Sequence, residues 1–317
     1  MHKYKPRVNM NQINDFNVLY EVSLMSIARF EIFSKVIELG SFTKAAEKLN
    51  MTQSAVSHAV AGLESDWGIT LLIRDRKNGL ILTEVGQKTL ISIREILNQM
   101  EKIKQEVAFA SNLEVGTIRI GSFSSASSCL LPKMVAKFHQ KHPNIEFIFF
   151  EGTYEEIREW IETGVVDIGF VVQPTLETNL HIVPVIKDQM VVAFPDGHHF
   201  QKKETIDAQD IQEEPFIMPK GVYRTHVEEI FNQANIKPQI RFEVQDCNTI
   251  VNMVQEGLGI TIGPELFLKN QTKIKTRNLK RIKWRSIALA CPSIQGASPA
   301  VQEFLTVAQG IFTKENN

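Results

Sequence analysis

Residues 52 to 64, TQSAVSHAVAGLE, place short hydrogen-bonding groups where a solvated helix would carry long charged ones. Val56, Ala59, Val60 and Leu63 fall at i, i+3, i+4 and i+7, the stripe a helix buries. The opposite face shows Gln53, Ser54, Ser57, His58 and Ala61, small or uncharged until Glu64. Such a face suits the major groove of double-stranded DNA. Gln53 can pair with a base or a phosphate, Ser57 can reach a base edge, and Ser54 and His58 suit the flanking backbone. No acidic residue interrupts residues 48 to 63, so nothing in this stretch repels phosphates.

The preceding segments position that helix. Ile27, Phe30, Phe33, Val36 and Ile37 form one helical face, closed by Gly40 where a helix end prefers glycine. Ser41 can cap a short second helix that turns Phe42, Ala45, Ala46 and Leu49 inward, and Thr52 can cap the third. Two short helices joined by the tight turn at residues 50 to 52 make a helix-turn-helix. Ser41, Thr43 and Thr52, at the helix starts, join the candidate DNA contacts. Residues 73 to 83, IRDRKNGLILT, read as a hairpin turning at Asn78-Gly79, which carries Arg74, Arg76 and Lys77 towards the phosphates or a minor groove. Charge adds little support, because residues 25 to 90 hold eight Lys/Arg against seven Asp/Glu. On periodicity alone, a small helical subdomain with solvated polar faces stays open.

The run GSFTKAAEKLNMTQSAVSHAVAGLE, then WG, then LLIRDRKNGLILTEVG, resembles the N-terminal signature of LysR-type transcriptional regulators. Trp67 and Leu72 depart from the residues usual there, as repacking of a winged-helix core. His58 stands where arginine is frequent, which makes one phosphate contact weaker or pH-sensitive. The resemblance implies an α-rich winged helix-turn-helix head over 25–83, a long linker helix over 84–112, and an α/β effector-binding domain over 113–317. It also implies a homodimer or homotetramer on a pseudo-palindromic operator, with RNA polymerase as a further partner.

Composition agrees with that scale. A chain of 317 residues with 43% hydrophobic and 22% charged residues suits about two domains or slightly more. The net charge of -1 makes any nucleic-acid surface local. Cys129, Cys247 and Cys291 form no CxxC pair, which fits a reducing compartment, and no apolar run reaches the roughly 18 residues of a membrane span. A cytoplasmic location with no membrane partner is expected. Residues 1–24 read as a loose extension ahead of a natural start at Met25.

Beyond Thr83, Leu90, Ile93, Leu97, Met100 and Val107 make a heptad-like seam. From spacing alone it packs either on the chain's own second domain or on another copy; in the family this helix dimerises. From residue 115, strands such as GTIRIGSF, IEFIFFEG and VVDIGFVV alternate with helical stretches, a pattern that predicts a doubly wound parallel sheet. Two such cycles resemble the type 2 periplasmic-binding-protein fold of the family's effector domain. Lobe one is expected over 115–188 plus 292–317, and lobe two over 189–291.

In open α/β sheets ligands sit beyond the carboxyl ends of strands, against helix N-termini. Ser122, Ser124 and Ser125 would offer hydroxyls at the first such end, Pro219 and Arg224 lie at the second, Cys247 and Asn248 at the third, and Thr153 lines the rim. Together they suit a small organic anion as effector, although any single Ser or Thr there could simply cap a helix. No metal and no cofactor is expected: the cysteines lack ligand spacing, and in the adjacent pair His198-His199 the side chains should point apart. No GxSxG, P-loop, HExxH or GxGxxG stands in the right setting, and Glu155, Glu156, Glu159 and Glu162 read as a solvated helix face. The chain is therefore expected not to be an enzyme. The competing reading is a two-lobed solute-binding or enzymatic domain with a helical head and no sequence-specific DNA binding.

Overall fold

The computed structural model describes residues 27–75, 79–110, 115–173, 179–221 and 224–312. The expected extension 1–24, Met25, the hairpin residues Arg76, Lys77 and Asn78, and Val222 and Tyr223 lie outside the described residues. The chain divides between Glu101 and Lys102 into two compact units.

In the first unit a helix over residues 27–39 (α1) leads to α2 (Phe42–Leu49) and α3 (Gln53–Trp67). Both short helices start where a side-chain oxygen takes an otherwise orphaned N–H. Ser41 Oγ accepts from Lys44 N at 3.3 Å, and Thr52 Oγ1 accepts from Ala55 N at 3.2 Å. Gly68 ends α3 in the left-handed conformation, φ 64°, which favours glycine. Strands β1 (Leu72–Asp75) and β2 (Gly79–Leu82) pair antiparallel as the wing. Phe33, Val36, Ala45, Val56, Val60, Leu63 and Leu71 close one core beneath these elements. Trp67 stays partly exposed against the Phe30 ring, 5.9 Å between centroids, so it covers the core edge rather than filling it.

The long helix α4 (Glu84–Ala110) starts from the same core. Thr83 Oγ1 accepts from Gly86 N at 2.9 Å, and a Cβ on Gly86 would stand 2.2 Å from the Leu71 carbonyl oxygen. Only glycine allows that approach of the helix to the wing. At 1.5 Å per residue the helix is about 40 Å long. Its apolar seam is divided. Leu90 and Ile93 are buried in the head core and Leu97 packs on it, whereas Ile96, Ile103 and Val107 are exposed. The residues left for a partner are therefore not the full set expected from heptad spacing.

The second unit holds strands β3 (Gly116–Ser122), β4 (Ile145–Glu151), β5 (Ile168–Gln173), β6 (His181–Pro195), β7 (Thr205–Ile206), β8 (Pro215–Pro219), β9 (Gln239–Val244), β10 (Thr261–Pro264), β11 (Ile274–Leu279) and β12 (Trp284–Cys291). Around them lie α5 (Ser124–Cys129), α6 (Leu131–His139), α7 (Tyr154–Glu162), α8 (Ala208–Ile211), α9 (Arg224–Ala234), α10 (Cys247–Gln255), α11 (Glu265–Leu268) and α12 (Pro299–Phe312). The main sheet runs β4-β3-β5-β12-β6-β11-β7, with β10 also on β6, and β8 pairs with β9 apart from it. It is mixed, not parallel throughout: β3 is parallel to β4 and β5, but β12 runs antiparallel to both its neighbours, β5 and β6.

One strand serves both lobes. Residues 181–189 of β6 pair with β12, and residues 190–195 pair with β10 and β11. Two cores flank that change of partner. The first gathers Ile120, Met134, Phe138, Phe170, Leu289, Phe304 and Phe312, the second Val192, Phe200, Phe216, Val227, Phe231 and Ile262. The first core takes in β12, so the second crossing comes before residue 284, earlier than the expected lobe-one segment 292–317. No helix among the described residues is long and apolar enough to cross a membrane.

Candidate functional site

On the head, Thr43, Thr52, Gln53, Ser54 and His58 are exposed along the starts of α2 and α3, while Ser41 and Ser57 are half-buried. The Thr52 and Ser54 hydroxyls lie 3.1 Å apart. Arg74 reaches across from the wing: its Nη2 donates to Ser57 Oγ at 3.3 Å, and its guanidinium carbon lies 4.4 Å from the centroid of the Phe42 ring. Strand, second helix and third helix thus meet at one cation on the exposed face. Glu64, which ends the uncharged face, turns inward. Its Oε1 accepts from Leu71 N at 2.7 Å and Leu72 N at 3.1 Å, tying α3 to the wing and keeping the carboxylate off the polar face. Sequence reasoning missed that bond, because helical spacing says nothing of a loop seven residues on.

In the second unit a cavity of about 270 Å³ opens beyond the carboxyl ends of β3, β4, β8 and β9. Phe123, Ser124, Glu151, Gly152, Thr153 and Glu156 line it from lobe one, and Lys220, Gly221, Gln245 and Cys247 from lobe two. Of the expected contacts, Ser124, Thr153 and Cys247 lie on this wall. Ser122 and Ser125 are buried behind it: Ser122 Oγ accepts from Ser127 Oγ at 2.9 Å, and Ser125 Oγ accepts from Arg285 Nη2 at 2.9 Å. Pro219 instead faces a small apolar recess with Ile250 and Phe267. Arg224 is turned to Glu228 and Glu243, at 2.7 and 3.0 Å, and Asn248 is exposed away from the cavity lining.

The helix starts at this cleft carry fewer open donors than the strand-end rule supplies. Thr153 and Glu156 form a capping box, with Thr153 N donating to Glu156 Oε2 at 2.8 Å and Glu156 N donating to Thr153 Oγ1 at 3.2 Å. Those backbone bonds hold the Glu156 carboxyl below the usual carboxylate range. Asp246 caps α10, its Oδ1 accepting from Thr249 Oγ1 and Thr249 N, both at 2.7 Å, which lowers its pKa in the same way. Glu156 is therefore a cleft residue and not merely part of a solvated face. The [S/T]-x-x-E spacing of a capping box in TYEE was the signal available for it.

Beneath the cleft lies a buried polar cluster with no sequence signature. Arg285 is fully buried and donates from Nη2 to Asp188 Oδ2 at 2.6 Å, from Nε to the same oxygen at 2.9 Å, and from Nη1 to Tyr154 Oη at 3.0 Å. The other Asp188 oxygen accepts from Leu266 N at 2.9 Å. Burial pushes the Tyr154 phenol pKa up, against the pull of Arg285.

His198 and His199 correct the expectation that adjacent histidines point apart. His198 is extended and caps the 3-10 turn His199–Lys202, so both rings fall on one side. Their centroids are 4.4 Å apart, and the Nε2 atoms lie 3.4 Å from the two oxygens of Glu214. The three residues come close enough to hold a metal. His198 Nδ1, however, accepts from Phe200 N at 3.3 Å, which puts the neutral ring's proton on Nε2, towards Glu214. Each polar atom of His198 thus has a protein partner, and the trio fastens the turn to the loop before β8. Cys291 is buried, which raises its thiol pKa and opposes thiolate chemistry.

Comparison with known proteins follows this division. The family described as "Bacterial regulatory helix-turn-helix protein, lysR family" matches residues 27–87, and "LysR substrate binding domain" matches residues 111–312. The "Uncharacterized HTH-type transcriptional regulator YvbU" of Bacillus subtilis (strain 168) is 39% identical over 294 residues, covering 92% of this chain and 100% of its own. Full-length OxyR of Pseudomonas aeruginosa, as a single-residue variant, superposes with a TM-score of 0.72 at 20% identity, covering 90% of this chain and 94% of its own. CbnR in complex with its target DNA superposes at 0.64 with 21% identity over 90% of this chain and 99% of its own. The effector-binding domain of QuiR in complex with shikimate superposes at 0.57 with 25% identity, over 63% of this chain and 98% of its own. The chain belongs to the LysR family of transcriptional regulators: it is a DNA-binding regulator of transcription with an effector-binding domain, not an enzyme.

Proposed function

We propose that the protein reads a pseudo-palindromic DNA site through the exposed start of α3, as a homodimer or dimer of dimers joined along α4, in the cytoplasm and beside RNA polymerase. Gln53, Ser57 and His58 face the base edges and adjoining backbone; Ser41, Thr43, Thr52 and Ser54 meet phosphates at the helix starts; Arg74, with Arg76 and Lys77, adds cationic contacts from the wing. The observation that carries this reading is the Arg74 guanidinium held 3.3 Å from Ser57 Oγ on a face kept clear of carboxylates by the inward turn of Glu64. The exposed stripe Ile96, Ile103 and Val107 supports pairing of α4 with a second copy. CbnR, a similar protein, has a structure with its target DNA.

The effector is a small organic anion held in the cleft between Ser124 and Thr153 on one side and Lys220 and Cys247 on the other. Ser122, Ser125, Pro219, Arg224 and Asn248 act from behind or beside that wall. Lys220 supplies the cationic group for the anion. The similar QuiR domain has a structure with shikimate. Binding then shifts the balance between open and closed lobes.

Footprinting of the full chain on DNA upstream of its own gene, at stated salt, tests the DNA reading beside a Ser57→Ala, His58→Ala variant. Protection of a two-fold-symmetric site by the wild type, lost in the variant, is the expected result. Equal protection by both proteins overturns the assignment of the α3 face. The solute-binding alternative has no observation in its favour.

A further inference from the structure

The walls of the cleft differ in charge, and the difference bears on what the effector is. From lobe two, Lys220 enters the lining, its ammonium 3.7 Å from Glu243, a carboxylate already taken at 3.0 Å by Arg224. Lys220, Arg224, Glu243 and Glu228 thus form a balanced group on that side. From lobe one come two carboxylates, Glu151 at the end of β4 and Glu156 in the first turn of α7. Neither forms an ion pair with any described residue; Glu156 has only backbone and hydroxyl partners, all at its own helix start. Those bonds favour its ionised form. Two of the helix starts that would offset this charge are closed by the chain's own side chains, Thr153 with Glu156 on α7 and Asp246 on α10. The six-residue α5, which begins at Ser124 on the same wall, has no side-chain cap and leaves two carboxylates against one short helix start.

A purely anionic ligand would meet one ammonium group on one wall and two unmatched carboxylates on the other. Glu151, Glu156 and Lys220 are exposed, so water screens them. Even so, two carboxylates against one ammonium disfavour a purely anionic ligand modestly, whereas a cationic group placed between Glu151 and Glu156 turns that repulsion into attraction. We infer that the effector is dipolar, carrying an ammonium or similar cationic group turned to Glu151 and Glu156 in addition to the anionic group turned to Lys220, as a small amino acid does. The inference rests on the cleft's being the effector site. It also gives the ligand a reason to draw the lobes together, since its two charges have their partners on opposite walls.

The test is calorimetric titration of the full-length protein with the twenty L-amino acids, followed, for each that binds, by its 2-hydroxy acid and its decarboxylated amine. The expected result is at least one amino acid that binds tenfold or more tighter than both counterparts. A Glu151→Gln, Glu156→Gln variant should then lose tenfold or more for the amino acid and little for the hydroxy acid. Glutamine at residue 156 keeps the capping group, so the fold is not the variable. A hydroxy acid that binds as tightly as its amino acid overturns the inference and leaves an anion-binding cleft standing. An amine that binds as tightly overturns the dipolar ligand and the role of Lys220 together. If no amino acid binds, the inference falls; shikimate and other amine-free carboxylates, titrated in parallel, then report on the cleft itself, through loss of their binding in Lys220→Ala.

Discussion

Arg285 and Asp188 form an ion pair with 0% and 3% side-chain exposure, Nη2 to Oδ2 at 2.6 Å, beside the point where β6 changes its strand partners. Beyond the pair itself, Asp188 Oδ1 accepts from Leu266 N, and Arg285 Nη1 and Nη2 donate to Tyr154 Oη and Ser125 Oγ. Removing one partner strands the other charge in the interior. Arg285→Met should therefore destabilise the effector-binding domain by about 3–5 kcal/mol, read by chemical denaturation, whereas Arg285→Met with Asp188→Leu should recover much of the loss. A single variant as stable as the wild type would show that the pair does not govern the junction.

Arg74 approaches Ser57 but is exposed, so its charge is open to phosphates. Arg74→Ala should weaken binding about equally on specific and random DNA and lower the slope of log K against log salt by about 1. Ser57→Ala, by contrast, should relax preference at one base pair by about 1–3 kcal/mol. Quantitative binding at three salt concentrations separates the two; a salt slope unchanged in Arg74→Ala would remove that residue from the phosphate contacts.

Glu64 Oε1 serves the N–H groups of Leu71 and Leu72 together. Glu64→Ala should leave both donors without a protein acceptor and destabilise the head by about 1–3 kcal/mol. Thermal unfolding followed by hydrogen exchange at residues 71 and 72 checks this. Unchanged protection there would refute the inward carboxylate.

His198 has its pKa lowered from the ordinary 6.5, chiefly by burial, with His199 adding to the effect and Glu214 opposing it. The folded ring binds its proton less readily than the unfolded one. Stability from this group is therefore full above about 6.5 and falls as pH drops towards the folded pKa. The melting temperature should decline between pH 7 and pH 5, and His198→Gln should flatten part of that decline. An identical pH profile in the variant would assign the decline to other groups.

The parts of this molecule legible in the sequence are those decided over a few residues. Ser41 and Thr52 cap α2 and α3 because capping needs only the next turn of chain. The uncharged face of α3 follows from helical period alone. What escaped the sequence is non-local. Nothing around Glu64 tells which way its carboxylate turns, and Arg285, a charged residue in WRSIALAC, gives no sign of the Asp188 that meets it 97 positions away. The same holds for β12. Its short apolar run fits either lobe, and only pairing with β5 and β6 decides. The strand-end rule points to the wall that holds Ser124, Thr153 and Cys247, but not to the carboxylates Glu151 and Glu156 beside them, because it presumes open helix starts and here α7 and α10 close their own.

The place of β12 between β5 and β6 also sets an order of assembly. While the chain emerges from the ribosome, β5 and residues 181–189 of β6 have no direct pairing, and the strand that joins them ends at Cys291. Lobe two, whose strands all lie between residues 190 and 279, can condense first, carrying half of β6 as an unfinished edge. Lobe one closes only when the last strand slots in. A chain lacking residues 284–291 would carry two open apolar sheet edges, on β5 and on β6, where another copy could add a strand.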